Sequence, residues 1–155
     1  MFYTLVTLRQ SISDRLLGGL DTNVVVSANL KTEGLEALVL DLAISGKLSL
    51  CVSPPVLAEY EDVLRRPKFK LSPERIEAVL RLLRQRSLLM TALPALAQCR
   101  HEPDNRFLEC AQAAKAHFLV TGNTRHFPAR WPSTRIVNCR QFLTLVGATL
   151  LGQEY

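Results

Sequence analysis

Several signatures of well-known chemistry are missing from this chain. It has no glycine-rich phosphate cradle of the G-x-G-x-x-G or P-loop type, which leaves a dinucleotide or nucleoside-triphosphate fold without its binding loop. It has no C-x-x-C clip. Its four cysteines, Cys51, Cys99, Cys110 and Cys139, are scattered, and with His101 and His117 they show no zinc-type spacing, so they read as reduced, mostly buried thiols. No apolar run approaches the roughly 20 residues that span a bilayer. The opening MFYTLVTLRQ lacks the basic leader and apolar core of a signal peptide. Without a membrane segment, the protein is expected to be cytoplasmic.

What is present is enough for one domain. The 155 residues are 48% hydrophobic, so a full core can be buried without staples. Lys and Arg outnumber Asp and Glu by 19 to 14, a surplus that favours a polyanionic or acidic partner. No internal repeat or linker divides the chain.

Apolar patterning gives the fold class. Leu16–Leu20 and Leu48–Val52 read as buried strands, the first weakened by Gly18 and Gly19. Between them Leu35, Leu38, Val39, Leu42 and Ala43 recur at helical spacing, ending at Gly46, so the order is strand, helix, strand. Prolines 54 and 55 open a helix whose stripe (Val56, Leu57, Tyr60, Val63, Leu64) stops at Pro67. Another follows Ser72, and a further one opens at Asp104. His117–Thr121 and Ile136–Val137 are strand candidates, and the segment around Phe142–Val146 closes the chain as a helix. Helices interleaved with short apolar strands imply a parallel sheet covered on both faces, a Rossmann-like three-layer α/β/α sandwich.

In such a sheet, ligands gather beyond the carboxyl ends of the strands. Asp21 follows the first strand, Asp104 precedes a late helix, and Asn123 follows the strand at His117. Helical phase alone leaves both Glu59 and Glu61 as candidates from the helix after the second strand. Carboxylates brought together raise each other's pKa unless a cation neutralises them, so a cluster of three implies a hard metal, magnesium first. Each residue also has an ordinary role: Asp21 as a turn or cap residue, Asp104 as a helix N-cap, Asn123 as a left-handed turn residue.

Taken in order, LDTNVVVSANL, SPPVLAEYEDVLRRPKF and EPDNRFLECAQAAKAHFLVTGNTRHFP resemble the PIN-domain family over about Leu20 to Leu145, and more narrowly the toxin branch related to the VapC ribonucleases. The resemblance implies an Mg2+- or Mn2+-dependent endoribonuclease. It implies Asp21, Glu59 and Asp104 as metal-holding catalytic acids, with Asn123 at the position of the family's last acid. That replacement removes a charge and favours one tightly held ion. Thr22 and Asn23 are expected to support Asp21 by hydrogen bonding, Glu109 is a reserve ligand, and Arg125 and His126 are candidates for phosphate contact. A small antitoxin and a homodimer are the implied partners, beside RNA. Residues 1–14 have no counterpart and read as an N-terminal extension to a domain spanning 15–150.

Two other readings stand beside this one. Asn123 in place of an acid suits a catalytically weak module that binds RNA or a protein. A doubly wound nucleotide-binding or phosphatase domain fits less well, since no second aspartate lies beside Asp21 to act as acid and base.

Overall fold

A computed structural model describes residues 16–151, with side chains to residue 147; the extension expected over 1–14 lies outside the described residues. Strand β1 (Leu17–Leu20) leads into helices α1 (Thr22–Leu30) and α2 (Leu35–Ile44), then β2 (Ser49–Val52). Helices α3 (Pro54–Leu64) and α4 (Pro73–Arg86) precede β3 (Ser87–Leu89). A one-turn 3-10 helix, Glu102–Asp104, runs into α5 (Asn105–Ala114), followed by β4 (Phe118–Val120), a 3-10 turn Thr124–His126, β5 (Arg135–Val137) and α6 (Cys139–Leu151).

The five strands form one parallel sheet in the order β3-β2-β1-β4-β5. All carboxyl ends therefore lie along one edge, and the chain reverses its direction of travel across the sheet between β1 and β4. That crevice is where an open α/β sheet accepts ligands. Both faces are covered, because alternate residues of a strand point oppositely. Phe118 stacks edge-on against Phe142 of α6 at 5.2 Å. Gly19 instead approaches Leu119 and Cys51, and the Cys51 thiol lies beside the Cys110 thiol of α5.

The helix caps follow the sequence. Ser53 and Ser72 accept from Val56 N and Arg75 N at the starts of α3 and α4, each followed by proline. Gly46 takes φ 83° just past α2.

Three features depart from expectation. Between β1 and β2 there are two helices, not one. Helix α1 buries Thr22, Val24, Val25, Val26, Ala28 and Asn29, so it is buried nearly all round and shows no apolar stripe. Strand β3 is new, a sheet edge with Leu88 and Leu89 exposed. And the glycine pair does not weaken β1, which is the central strand, bonded on both sides. A Cβ at Gly19 would sit 3.3 Å from Leu119 Cδ1, so glycine there permits close packing. All four cysteines are free, and His117 accepts from Leu17 N through Nδ1 at 3.0 Å. No helix of the described residues is long and apolar enough to cross a membrane.

Candidate functional site

Asp21 stands where β1 ends and α1 begins, at the crevice between β1 and β4, with only 5% of its surface exposed. Three donors fix its carboxylate. Thr22 N donates to Oδ1 at 2.8 Å, Thr121 Oγ1 to Oδ2 at 2.7 Å, and Asn23 Nδ2 to Oδ2 at 3.3 Å. The loop after β4 is bound into the same network: Asn123 N donates to Thr121 Oγ1 and Gly122 N to Asn23 Oδ1. From the other side Tyr60, fully buried on α3, donates its hydroxyl to Leu20 O, the carbonyl just before Asp21.

Burial pushes the Asp21 carboxyl above its ordinary value. The Thr121 hydrogen bond opposes that shift, and the negative charges of Asp104 and Glu59 add to it. The two other acids therefore act on Asp21 through space. Glu59 is half-buried on α3. Its neighbour Glu61, left open by helical phase, is committed elsewhere, to Arg65 at 2.9 Å and Arg84 at 3.9 Å.

Asp104 is buried at the end of the Glu102–Asp104 turn. It makes no side-chain cap bond to α5, so the helix-cap role is not what holds it. Its Oδ2 is buried without a hydrogen-bond partner. His126 Nδ1 and His101 Nδ1 come to 3.4 and 3.7 Å of that oxygen, outside hydrogen-bond geometry. An orphaned carboxylate oxygen beside a buried, high-titrating carboxylate suits a divalent cation, so the residues fit the metal that the sequence implies. The fit is to a sparse site. Among the described residues no three His, Cys, Asp or Glu side chains converge into a ready-made cage. The three carboxylates expected from the sequence thus form no ready-made cage, while Asp104 and Glu59 both act on Asp21 as charge. Magnesium, which keeps several waters and uses one or two carboxylates, tolerates such a site.

The supporting residues sort differently from expectation. Asn23 supports Asp21 through its side chain, but Thr22 does so through its backbone, its hydroxyl being buried and unpartnered. Glu109 is occupied: it accepts from Leu96 N at 2.9 Å and pairs with Arg106 at 2.9 Å, tying the 94–99 segment to α5. Asn123 is exposed at φ −127°, so it is not a left-handed turn residue. Arg125 is exposed beside it. Farther off, Arg65 pairs with Glu61 and Glu77, and Arg66 with Asp62.

Sequence reasoning missed Thr121, Tyr60 and Asn105. Thr121 stood one residue from the glycine of T-G-N, and Tyr60 was a lone polar tip in an apolar stripe. Asn105, buried beside Asp104, accepts from Gln98 N and Cys99 N. Near these acids, burial and then the charges of Asp104 and Asp21 push the Cys99 thiol up to about 11, which disfavours its thiolate.

A sequence model of the family described as PIN domain matches residues 20–125. An uncharacterized protein of Methanocaldococcus jannaschii is 30% identical over 107 residues, covering 67% of this chain and 68% of that protein. A chain of the crystal structure of VapBC2 from Rickettsia felis, bound to a DNA fragment from their promoter, superposes with a TM-score of 0.52 at 21% identity, covering 79% of this chain and 98% of that one. The match to the solved structure carries the fold.

Proposed function

The chain belongs to the PIN-domain family, and from that premise we propose that it is a divalent-metal-dependent endoribonuclease acting at the crevice between β1 and β4. The observation that carries the reading is the state of its acids: Asp104 Oδ2 is buried without a partner, and the Asp21 carboxyl is raised above its ordinary value by burial first and by the charges of Asp104 and Glu59 after it. Such a pair is under-neutralised until a cation arrives.

Asp21 and Asp104 would hold the ion, Mg2+ or Mn2+, with Glu59 adding charge and Asn123 a neutral ligand position. When bound, the ion supplies Lewis acidity toward a scissile phosphate and acidifies an attacking water. The chain's own work is orientation. Thr121, Asn23 and the Thr22 amide hold the Asp21 oxygens, and Tyr60 holds the peptide that carries them. Arg125 and His126, exposed on the turn after β4, would contact the phosphate backbone, the group that arginine usually positions.

The test is cleavage of RNA by the purified chain. We expect cutting with Mg2+ or Mn2+, and loss to background on chelation and in Asp21→Asn and Asp104→Asn. Undiminished cutting by Asp21→Asn removes the assignment. A second reading, a binding module with little catalysis, draws on Asn123 and on the missing three-acid cage; RNA binding that survives chelation, with no cleavage under any divalent ion, selects it.

The fold shared with a chain of a VapBC2 complex supports a further reading as the toxin of a toxin-antitoxin pair, working as a homodimer and restrained by a small antitoxin. Expression should arrest growth, relieved by co-expressing the small protein encoded beside it; harmless expression of active protein rejects this.

A further inference from the structure

The positive charge of this chain is not spread evenly. Residues 110–153 contain Lys115, Arg125, Arg130, Arg135 and Arg140 and no Asp or Glu, whereas the remainder carries 14 of each sign. The whole surplus of five therefore lies in β4, β5, α6 and the segments joining them. Arg125, Arg130, Arg135 and Arg140 are all exposed, and among the described residues none has an acidic partner, unlike Arg65, Arg66, Arg84 and Arg106.

Three of them, Arg125, Arg130 and Arg135, line a series of adjoining clefts. A cleft of about 440 Å3 begins at Thr124 and Arg125, next to His126, which faces Asp104. It shares Ala129 and Ile136 with a second of about 430 Å3 that takes in Arg130 and Arg135. That one shares Trp131, Thr134 and Arg135 with a third of about 500 Å3, lined also by Leu16, His117 and Phe118 at the amino ends of β1 and β4. Half-buried Trp131, the single tryptophan, lines the second and third.

We propose that this path, from the acid pair past Arg125, Arg130 and Trp131 to Arg135 along β5, is the track on which a single-stranded RNA lies while its scissile phosphate sits at Asp21 and Asp104. The proposal rests on the nuclease reading for the choice of RNA. Its physical basis is separate. Unpaired guanidinium groups beside an aromatic ring along adjoining clefts form the combination that holds a single strand, with cations tracking phosphates and the ring taking a base. A rigid duplex presents its bases only at groove edges and gives Trp131 nothing to stack on.

The experiment uses the full chain carrying Asp21→Asn, so that RNA is bound and not cut. A single-stranded RNA of about 12 nucleotides is titrated at several salt concentrations, followed by anisotropy and by emission of Trp131. The expected result is salt-dependent binding that quenches the tryptophan. Adding Arg130→Gln and Arg135→Gln should lower the slope of log affinity against log salt by about 1.4, close to 0.7 per lost contact. An unchanged slope in the double variant, binding without a change in Trp131 emission, or stronger binding of a duplex of equal length each overturns the track. Failure of the unsubstituted arginine surface to bind RNA even at low salt overturns it too and leaves the ridge to an acidic protein partner. If binding behaves as expected while the wild-type chain cuts no RNA with any divalent ion, the nuclease reading fails and the track stands.

Discussion

The Thr121 hydroxyl donates to Asp21 Oδ2 at 2.7 Å while accepting from Asn123 N at 3.0 Å, so one side chain fastens the loop after β4 to the acid after β1. It also opposes the upward shift of the Asp21 carboxyl. Thr121→Val keeps the shape and deletes both bonds. We expect a stability loss of about 1–3 kcal/mol from the unpaired Asn123 amide and the loss of one of the two donors to Asp21 Oδ2, and an acid limb of the cleavage-pH profile displaced upward. Thr121→Ser should restore both, as read by denaturant unfolding and a pH series; an unmoved limb in Thr121→Val removes the positioning role.

Ionised Asp21 is costly to the folded, metal-free chain, and the sign of that cost can be followed through pH. Its folded pKa lies above the ordinary value of 3.8. Below 3.8 the carboxyl is protonated in both states and the penalty is absent; it grows as pH rises toward the folded value and is constant beyond it. The stability of Asp21→Asn relative to wild type, in the presence of chelator, should therefore improve as pH rises through that window, whatever offset lost hydrogen bonds impose. Added Mn2+ should raise the wild-type melting temperature, by an amount equivalent to about 2.7 kcal/mol at a hundredfold excess over Kd, and leave Asp21→Asn unmoved. A relative stability that falls with pH contradicts the burial assigned to Asp21.

Tyr60 and Leu20 supply a third test. The Tyr60 hydroxyl caps the Leu20 carbonyl, and its ring packs against Phe107 at 6.0 Å. Tyr60→Phe keeps the ring and orphans the carbonyl, which should cost about 1–2 kcal/mol in unfolding free energy. It should lower kcat more than it alters KM, since the residue positions Asp21 without touching substrate. A change confined to KM would place Tyr60 in binding instead.

Glu109 separates a structural carboxylate from a ligand. Because its oxygens already meet Leu96 N and Arg106, Glu109→Gln should destabilise the chain by about 1–3 kcal/mol. The Mn2+-induced rise in melting temperature should persist. Loss of that rise would return Glu109 to the metal.

The sheet was readable because β1, β2 and β4 are short apolar runs buried on both faces, and α3 and α4 because serine and proline mark their starts. Helix α1 was not readable, since Val24, Val25 and Val26 are all buried and leave no polar face to set a period. Strand β3 follows α4 without a break, and its exposed leucines look like a helix end. For the site, Asp21 and Asp104 were visible as acids at strand and helix boundaries. Thr121 and Asn105 were not, because their roles depend on hydrogen bonds to backbone and side chains brought in by the fold: Thr121 meets an acid 100 residues away. Conversely, three acids in the right order suggested a cluster of three carboxylates, but how near their oxygens come is set by packing that sequence spacing does not encode.

The most direct measurement is an anomalous difference map from a manganese-soaked crystal of the full chain. A peak bridging Asp21 and Asp104 at coordination distance, about 2 Å from an oxygen of each, is the expected result. Clear density for both carboxylates with no peak between them, at manganese concentrations that support RNA cleavage, would contradict the assignment of these two acids as the metal-holding pair.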